Sequence, residues 1–206
     1  LVQLDRWVSA GHPPPPSVYP RLDDATAVPP AQTAVIFQTF PALHFPVYLR
    51  SIARLDFGLG TSEEIPTLLP PQVGTPYANL VSAVDADGNE LAGIRLPDIS
   101  VPLATYTGWN VRHTAIGGAG QTLALLGSTL PFPATRAERQ ATGDPRPSMA
   151  ERYATREAYL LQVQHAAEML VQQGYLLAED LPTVSEQAAQ RYELFYDRSP
   201  AFQRVG

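Results

Sequence analysis

The central segment from Val101 to Arg139 has the sequence VPLATYTGWNVRHTAIGGAGQTLALLGSTLPFPATRAER, where aromatic, polar, proline and glycine residues are concentrated. Glycines 117, 118 and 120 allow positive φ angles or a close approach of the backbone to another surface. This composition predicts an ordered loop across residues 101–139 rather than a helix or a strand. Ordered loops commonly carry binding residues, so the side chains that precede the glycines are the first candidates for a site.

Five residues of this segment form the predicted substrate-binding set. Tyr106 and Trp109 supply apolar walls, whereas Asn110, Arg112 and His113 supply polar groups that orient a ligand. A second interpretation stays open, in which the same residues only stabilise the loop.

The composition bounds the class of protein. The 206 residues suffice for one domain or a compact pair, and a hydrophobic content of 45% suffices for a core. The 21 prolines predict long irregular connections rather than disorder. A net charge of −6 without a basic cluster argues against nucleic acid as a partner.

Two absences exclude further classes of protein, and the basic residues are all of one type. No apolar run approaches the roughly 20 residues of a membrane-spanning helix, so we expect a soluble protein. The chain contains no Cys, which excludes disulfides, thiolate catalysis and Cys-ligated metals. All 14 basic residues are Arg, which suits fixed bidentate pairing with carboxylates.

An amphipathic helix is predicted over residues 1–12, because Leu1, Leu4, Trp7 and Val8 share one face. Gly11 is its natural end, and the prolines at 13–16 impose an extended exit. No capping residue precedes Leu1, so we expect the chain to continue a longer polypeptide.

Residues 13–147 are predicted to form a loop-rich extension. Within it, residues 33–37 and 45–52 suit short strands or single turns, and residues 121–126 suit a short helix or a buried run. Apolar arms around the Asp-Ala-Asp-Gly-Asn sequence predict a β-hairpin over residues 79–96. The helix-forming sequence 136–140 follows the central loop.

Residues 148–198 are predicted to form a helical hairpin. Ser148 and Glu151 have the spacing of a capping box, with a kink expected near Thr155. Gly174 ends the first helix, and Asp180 and Pro182 are predicted as the N-cap and first residue of the second. Residues 199–206 are predicted to be a frayed tail. The apolar stripes contain Met149, Tyr153, Leu160, Val163, Ala167, Leu170 and Val171 in the first helix, and Val184, Ala188, Tyr192 and Phe195 in the second.

No catalytic residue is predicted in this chain. It lacks the GxSxG sequence of an α/β-hydrolase nucleophile, and Ser128 in Gly-Ser-Thr favours a structural hydroxyl. Among the histidines, His165 is expected to face solvent, His12 lies in the proline-rich exit, and His44, between two apolar neighbours, is expected to be partly buried. His113 is the best placed of the four for a site.

No metal site or cofactor is predicted either. The acidic sequence 85–90 resembles the start of a calcium loop, but its glycine is fourth rather than sixth. A hairpin turn accounts better for these residues.

Four unusual runs, at 69–77, 84–97, 101–110 and 127–139, resemble the C-terminal region of a family of large, mostly bacterial proteins described as alpha/beta-hydrolase domain-containing. The resemblance extends from about Leu1 to about Phe195. It implies an α/β fold, of which residues 1–12 are the last core helix and the rest a proline-rich covering extension with the two hairpins.

The resemblance also implies a serine esterase-like activity with a small-molecule ester as substrate. The catalytic triad would then lie in a preceding segment or a companion chain, which is the expected partner. The alternative is a non-catalytic module that binds a sugar or peptide, or only packs. The ester, the oligomeric state and the compartment, cytoplasmic or exported, stay open.

Overall fold

The computed structural model describes residues 1–41, 43–123 and 125–196. These residues form a mixed α/β structure of helices and small antiparallel sheets, which confirms the predicted class. In the described part, no helix is both long enough and apolar enough to cross a membrane. The strands are β1 (Ala27–Val28), β2 (Ala53–Asp56), β3 (Gln72–Pro76), β4 (Val81–Ser82), β5 (Ala104–Thr107) and β6 (Ser128–Pro131), and the helices are α1 (Val2–Ala10), α2 (Pro30–Phe37), α3 (Pro97–Ser100), α4 (Arg136–Thr142), α5 (Met149–Arg152), α6 (Arg156–Gln172) and α7 (Leu181–Tyr196).

Helix α1 lies on the surface with its apolar face uncovered. The helix ends at Gly11 as predicted, where the backbone is left-handed and the N–H groups reach back to the last turn. None of its residues is buried, and Trp7 and Val8 are 52% and 79% exposed. A hydrogen bond from Gln3 Nε2 to the Gly174 carbonyl (3.1 Å) ties α1 to the C-terminal helices.

Helix α2 corrects the prediction of a strand or single turn at residues 33–37. Pro30 occupies its first turn, where a fixed φ favours helix initiation, and the helix continues to Phe37. The apolar run was too short for its period to distinguish helix from strand. Residues 45–52 form no regular strand either. The strand begins at Ala53, and β2 pairs antiparallel with β3.

The predicted hairpin at residues 79–96 is present next to its turn, where the Leu91 N–H donates to the Ala83 carbonyl (3.0 Å) and the Asp85 N–H to the Asn89 carbonyl (2.8 Å). Strand β4 pairs with β1, in the register Ala27↔Ser82, and the second arm forms no strand. The turn itself is present: the Gly88 N–H donates to the Asp85 carbonyl (3.0 Å), and one bridge joins Val84 to Glu90. Beyond Leu91 the second arm forms no strand, and the turn is also bound to β5.

Asn89 makes that connection to β5. Its side chain is fully buried, Nδ2 donates to the Ala104 carbonyl (3.0 Å), and Oδ1 accepts from the Tyr106 N–H (2.8 Å). Gly88 beside it has a φ of +79° and lies against Phe37 and Phe40. A side chain at position 88 would overlap those rings, so glycine is required there both for its positive φ and for the lack of space.

The central segment 101–139 also differs from the predicted loop. Its two ends form an antiparallel ribbon, in which Ala104 of β5 faces Pro131 of β6 and Thr107 faces Ser128. Residues 121–126 are neither a helix nor a buried run, since they make one isolated bridge from Thr122 to Val111, and Ala124 lies outside the described residues. The glycine-rich part is therefore the tip of a ribbon, and α4 follows the ribbon as predicted.

The main hydrophobic core lies between this ribbon and helices α5, α6 and α7. The capping box at Ser148 and Glu151 is confirmed, and the expected kink is a complete break, after which Thr155 caps α6. Asp180 is not an N-cap: it ends a single 3-10 turn that continues directly into α7, so Pro182 is the second helical residue. Residues 197 and 198 and the predicted tail lie outside the described part. The stripe residues Leu160, Val171 and Val184 are half-buried, and Tyr159, which neither stripe included, is buried. The buried members of the two stripes are Met149, Tyr153, Val163, Ala167, Leu170, Ala188, Tyr192 and Phe195.

A buried arginine connects this core to a smaller aromatic cluster around Phe37 and Phe40. Arg146 is 2% exposed and pairs with Asp144 through Nε (2.9 Å) and Nη2 (2.5 Å). Its Nη1 donates to Thr105 Oγ1 (2.8 Å) and to the Leu130 carbonyl (2.9 Å). The guanidinium carbon lies 4.9 Å from the ring centre of Phe40 and 5.3 Å from that of Phe132. The guanidinium of Arg146 thus contacts an aromatic ring of each cluster.

Candidate functional site

A cavity of about 640 Å³ lies between α2, the segment 45–49, β4 and the end of β5. Three aromatic rings form one of its walls. The ring centres of Phe37 and Trp109 are 5.1 Å apart, those of Phe45 and Trp109 are 5.5 Å apart, and both pairs meet edge to face. The wall is apolar and rigid, as is usual for a site that binds a small organic molecule.

The ribbon holds Trp109 in place through its backbone. The Trp109 carbonyl accepts a hydrogen bond from Ser128 Oγ (3.1 Å) and another from Thr107 Oγ1. Ser128 therefore has the structural role that was predicted for it. These bonds fix the position at which the chain leaves β5, so the indole is directed toward Phe37 and Phe45.

Tyr106 lines the same cavity from β5. Its hydroxyl oxygen is buried and has no hydrogen-bond partner among the described residues. Burial raises the pKa of Tyr106 well above its usual range, and the neighbouring Tyr153 raises it further. The phenol is therefore neutral at physiological pH, where it is a hydrogen-bond donor rather than a base.

The other three predicted site residues do not line this cavity. Arg112 donates from Nε to the Gly117 carbonyl (2.8 Å) and from Nη2 to the Ile116 carbonyl. His113 Nδ1 accepts from the Ala115 N–H (3.2 Å), and Asn110 Oδ1 accepts from the next N–H. These side chains stabilise the glycine-rich tip. The structure thus brings Tyr106 and Trp109 together, and the substrate-binding role of all five stays a prediction.

The cavity wall contains no histidine in the part of the chain that the structure describes. Residues with hydroxyl groups on this wall are Thr33, Ser82, Tyr106, Thr107 and Thr122, and its charged side chain is Glu90. His44 is exposed rather than partly buried, because Leu43 and Phe45 on either side take the interior positions. His165 is exposed as predicted, and His12 is exposed as well. This wall can bind a ligand, but it does not pair a nucleophile with a base.

The acidic sequence at 85–90 is a turn. Asp85 Oδ1 accepts from the N–H groups of Asp87 (2.9 Å) and Asn89 (3.0 Å), which is the geometry of an Asx turn. Burial raises the pKa of Asp85, and the nearby Asp87 carboxylate adds to that rise. Across the described ranges, no group of three or more His, Asp or Glu residues is arranged to hold a metal ion.

A second cavity of about 370 Å³ adjoins the first. The two share the wall formed by Glu90, Tyr106, Thr107 and Gly108, and Arg95 and Ile99 line the far side of the second. Sequence reasoning missed Arg95, which it placed in a hairpin arm, and Phe37 and Phe45, which it placed in isolated short elements. The clustering of aromatics near prolines 41 and 46 was the available signal.

A protein-family model described as "Alpha/beta hydrolase domain" matches residues 1–186. This match covers the whole ribbon, the residues that line both cavities, α6 and the start of α7. No curated protein and no solved structure matches the chain.

Proposed function

This chain belongs to the alpha/beta hydrolase domain family, and from that membership we propose that it is the C-terminal part of a serine hydrolase that cleaves carboxylic esters. In this proposal the chain forms the covering region and part of the substrate pocket. The Ser-His-acid triad lies in a preceding segment or a companion chain.

The observation that carries the proposal is the chemistry of the first cavity. Aromatic and aliphatic side chains dominate its walls, and the described wall lacks the histidine that a serine nucleophile needs as its base. Such a wall suits the acyl or alcohol group of an ester, whose buried apolar surface contributes about 25 cal/mol per Å² of binding free energy. The reacting atoms would have to meet their catalytic groups from another segment.

The uncovered face of α1 supports the same arrangement. Leu4, Trp7 and Val8 lie exposed along one side of this helix, although they have the pattern of a helix that packs on a core. A hydrolase sheet supplied by another segment would cover that face. The chain would then contribute its first helix to the hydrolase core and its ribbon to the pocket.

The test compares the chain alone with the whole hydrolase, using p-nitrophenyl butyrate as substrate. We expect no turnover by residues 1–206 and serine-dependent turnover, lost after phosphonofluoridate treatment, by the whole protein. In the whole protein, Trp109→Ala should raise KM about tenfold with a smaller change in kcat, because it removes apolar contact area. Leu161→Ala, on the exposed surface of α6, is the matched control and should change neither constant.

Two results would overturn the proposal. Serine-dependent turnover by the chain alone would show that the triad is not elsewhere. A whole protein that binds ligands at Trp109 but hydrolyses no ester would favour the non-catalytic binding module instead.

A further inference from the structure

We propose that the two adjoining cavities form one elongated site, in which the guanidinium of Arg95 binds a carboxylate group of the ligand. The identity of that ligand as an ester rests on the proposed function. The preference for a carboxylate at Arg95 does not, and a binding measurement tests it separately.

The shared wall of the two cavities is the first support for a single site. The first cavity has the aromatic wall around Trp109, and the second has Arg95 on its far side. Tyr106, Thr107 and Gly108 line both, so the end of β5 is their common wall. Gly108 has no side chain, and a Cβ built there meets no atom within 4 Å. No side chain at this position separates the two cavities.

The pairing of Arg95 distinguishes it from the other semi-buried arginines. Its Nη2 donates to the Ile99 carbonyl (3.0 Å) and lies 3.4 Å from Asp85 Oδ2, which is a weak ion pair. Its Nε is buried without a partner among the described residues. By contrast, Arg146 and Arg152 each pair closely with an aspartate. Among the described residues, both side-chain hydrogen bonds of Arg95 come from Nη2, so Nη1 and the positive charge remain for a ligand at the wall of the second cavity.

Asp85 compensates that charge poorly. Its Oδ1 already accepts two backbone N–H groups, so only Oδ2 faces Arg95. Burial also disfavours the ionised form of Asp85. A ligand carboxylate at the guanidinium would supply the close partner that Asp85 does not, and arginine binds carboxylates with two parallel hydrogen bonds.

Glu90 opposes anion binding from the shared wall. It is exposed, so water screens its charge, and it lies at the junction of the cavities rather than beside Ile99. These positions fit a ligand with an apolar or aromatic end at Trp109 and a carboxylate at Arg95. Monoesters of dicarboxylic acids and esters of aromatic acids that carry a second carboxylate belong to this class.

Binding can be measured by fluorescence, since the chain has two tryptophans and Trp7→Phe leaves Trp109 as the reporter. The ligands are ω-phenylalkanoates of increasing chain length, each compared with its neutral amide. At the best length we expect the carboxylate to bind about five- to tenfold more tightly than the amide, as a partly exposed charge-assisted pair allows. Added NaCl should reduce the preference.

Variants identify the residue responsible. Arg95→Gln should abolish the preference for the carboxylate and leave amide binding unchanged, whereas Glu90→Gln should increase the preference about twofold. Arg54→Gln is the matched control, because Arg54 is an exposed arginine beside Tyr77 that lines neither cavity. Near-UV circular dichroism checks that each variant is folded.

The proposal is wrong if wild-type affinities for acid and amide are equal, if the preference persists in Arg95→Gln, or if neither ligand changes the Trp109 signal. Should Arg95→Gln fail to fold, the salt dependence in wild type and the gain in Glu90→Gln still decide. Carboxylate preference without any ester hydrolysis by the whole protein would support this inference while refuting the proposed function.

Discussion

Replacing Arg146 with Met is expected to destabilise the chain more than any exposed charge substitution. Met keeps much of the length and apolar character of the side chain but removes the cation. The Asp144 carboxylate, whose residue is 6% exposed, then has no counter-charge. The Leu130 carbonyl also loses its Nη1 donor, and the rings of Phe40 and Phe132 lose the guanidinium between them.

The magnitude follows from this burial. Removal of one partner from a buried ion pair costs about 3–5 kcal/mol, because the remaining charge is uncompensated. Thr105 Oγ1 keeps its bond to the Asp87 carbonyl, so its loss is partial. We therefore expect a loss of about 4 kcal/mol, a large part of the 5–15 kcal/mol that typically stabilises a domain.

Urea unfolding, followed by near-UV circular dichroism, measures the free energy of unfolding for each variant. The matched control is Arg156→Met, since Arg156 makes a surface pair with Glu193 (2.8 Å) and should lose less than about 1 kcal/mol. The double variant Asp144→Ala with Arg146→Met should recover about 2 kcal/mol relative to Arg146→Met, because no charge is left buried. A loss in Arg146→Met no greater than in Arg156→Met, or no recovery in the double variant, would refute the reasoning.

Three further predictions concern stability. Gly88→Ala should cost about 2–4 kcal/mol of unfolding free energy, because its Cβ would lie 2.7 Å from the Phe40 ring at a φ of +79°. Gly93→Ala, at a φ of +89° in open space, should cost about 1–2 kcal/mol. Equal losses in urea unfolding would contradict the packing argument. Burial raises the pKa of Tyr153 from 10.0 to about 12. The stability that results is therefore present below about pH 10 and is lost as the pH rises to about 12. Tyr153→Phe should lose less unfolding free energy than wild type across that pH range. Ser148→Ala should lose about 1 kcal/mol through the capping box of α5, and an unchanged urea midpoint would contradict this role.

The C-terminal helices were predictable because their signals are local. The capping box, Gly174 and the 3.6-residue stripe of α6 each fix an element without reference to the rest of the chain. The strand pairings were not predictable in this way. The arms at 79–96 pair only next to their turn, whereas β4 pairs with a strand more than fifty residues earlier and the Asn89 amide binds the turn to β5.

The candidate site was predictable only where its residues are close together in the sequence. The aromatic content of the central segment correctly placed Tyr106 and Trp109 near a cavity. Arg112 and His113 are close to Trp109 in sequence, but they lie beyond the end of β5 and bond within the loop tip. Phe37 and Arg95 reach the two cavities from distant elements, and no local pattern indicates such convergence.

The amide of Asn89 has a consequence for self-association. One edge of β5 pairs with β6, and on the other edge Asn89 supplies the donor and the acceptor that a further strand would supply. An open edge would be a template for a foreign chain, so this side chain protects the ribbon against amyloid-like growth. An aspartate at position 89 would keep the acceptor and lose the donor, and the Ala104 carbonyl would then be available to recruit an intruding peptide.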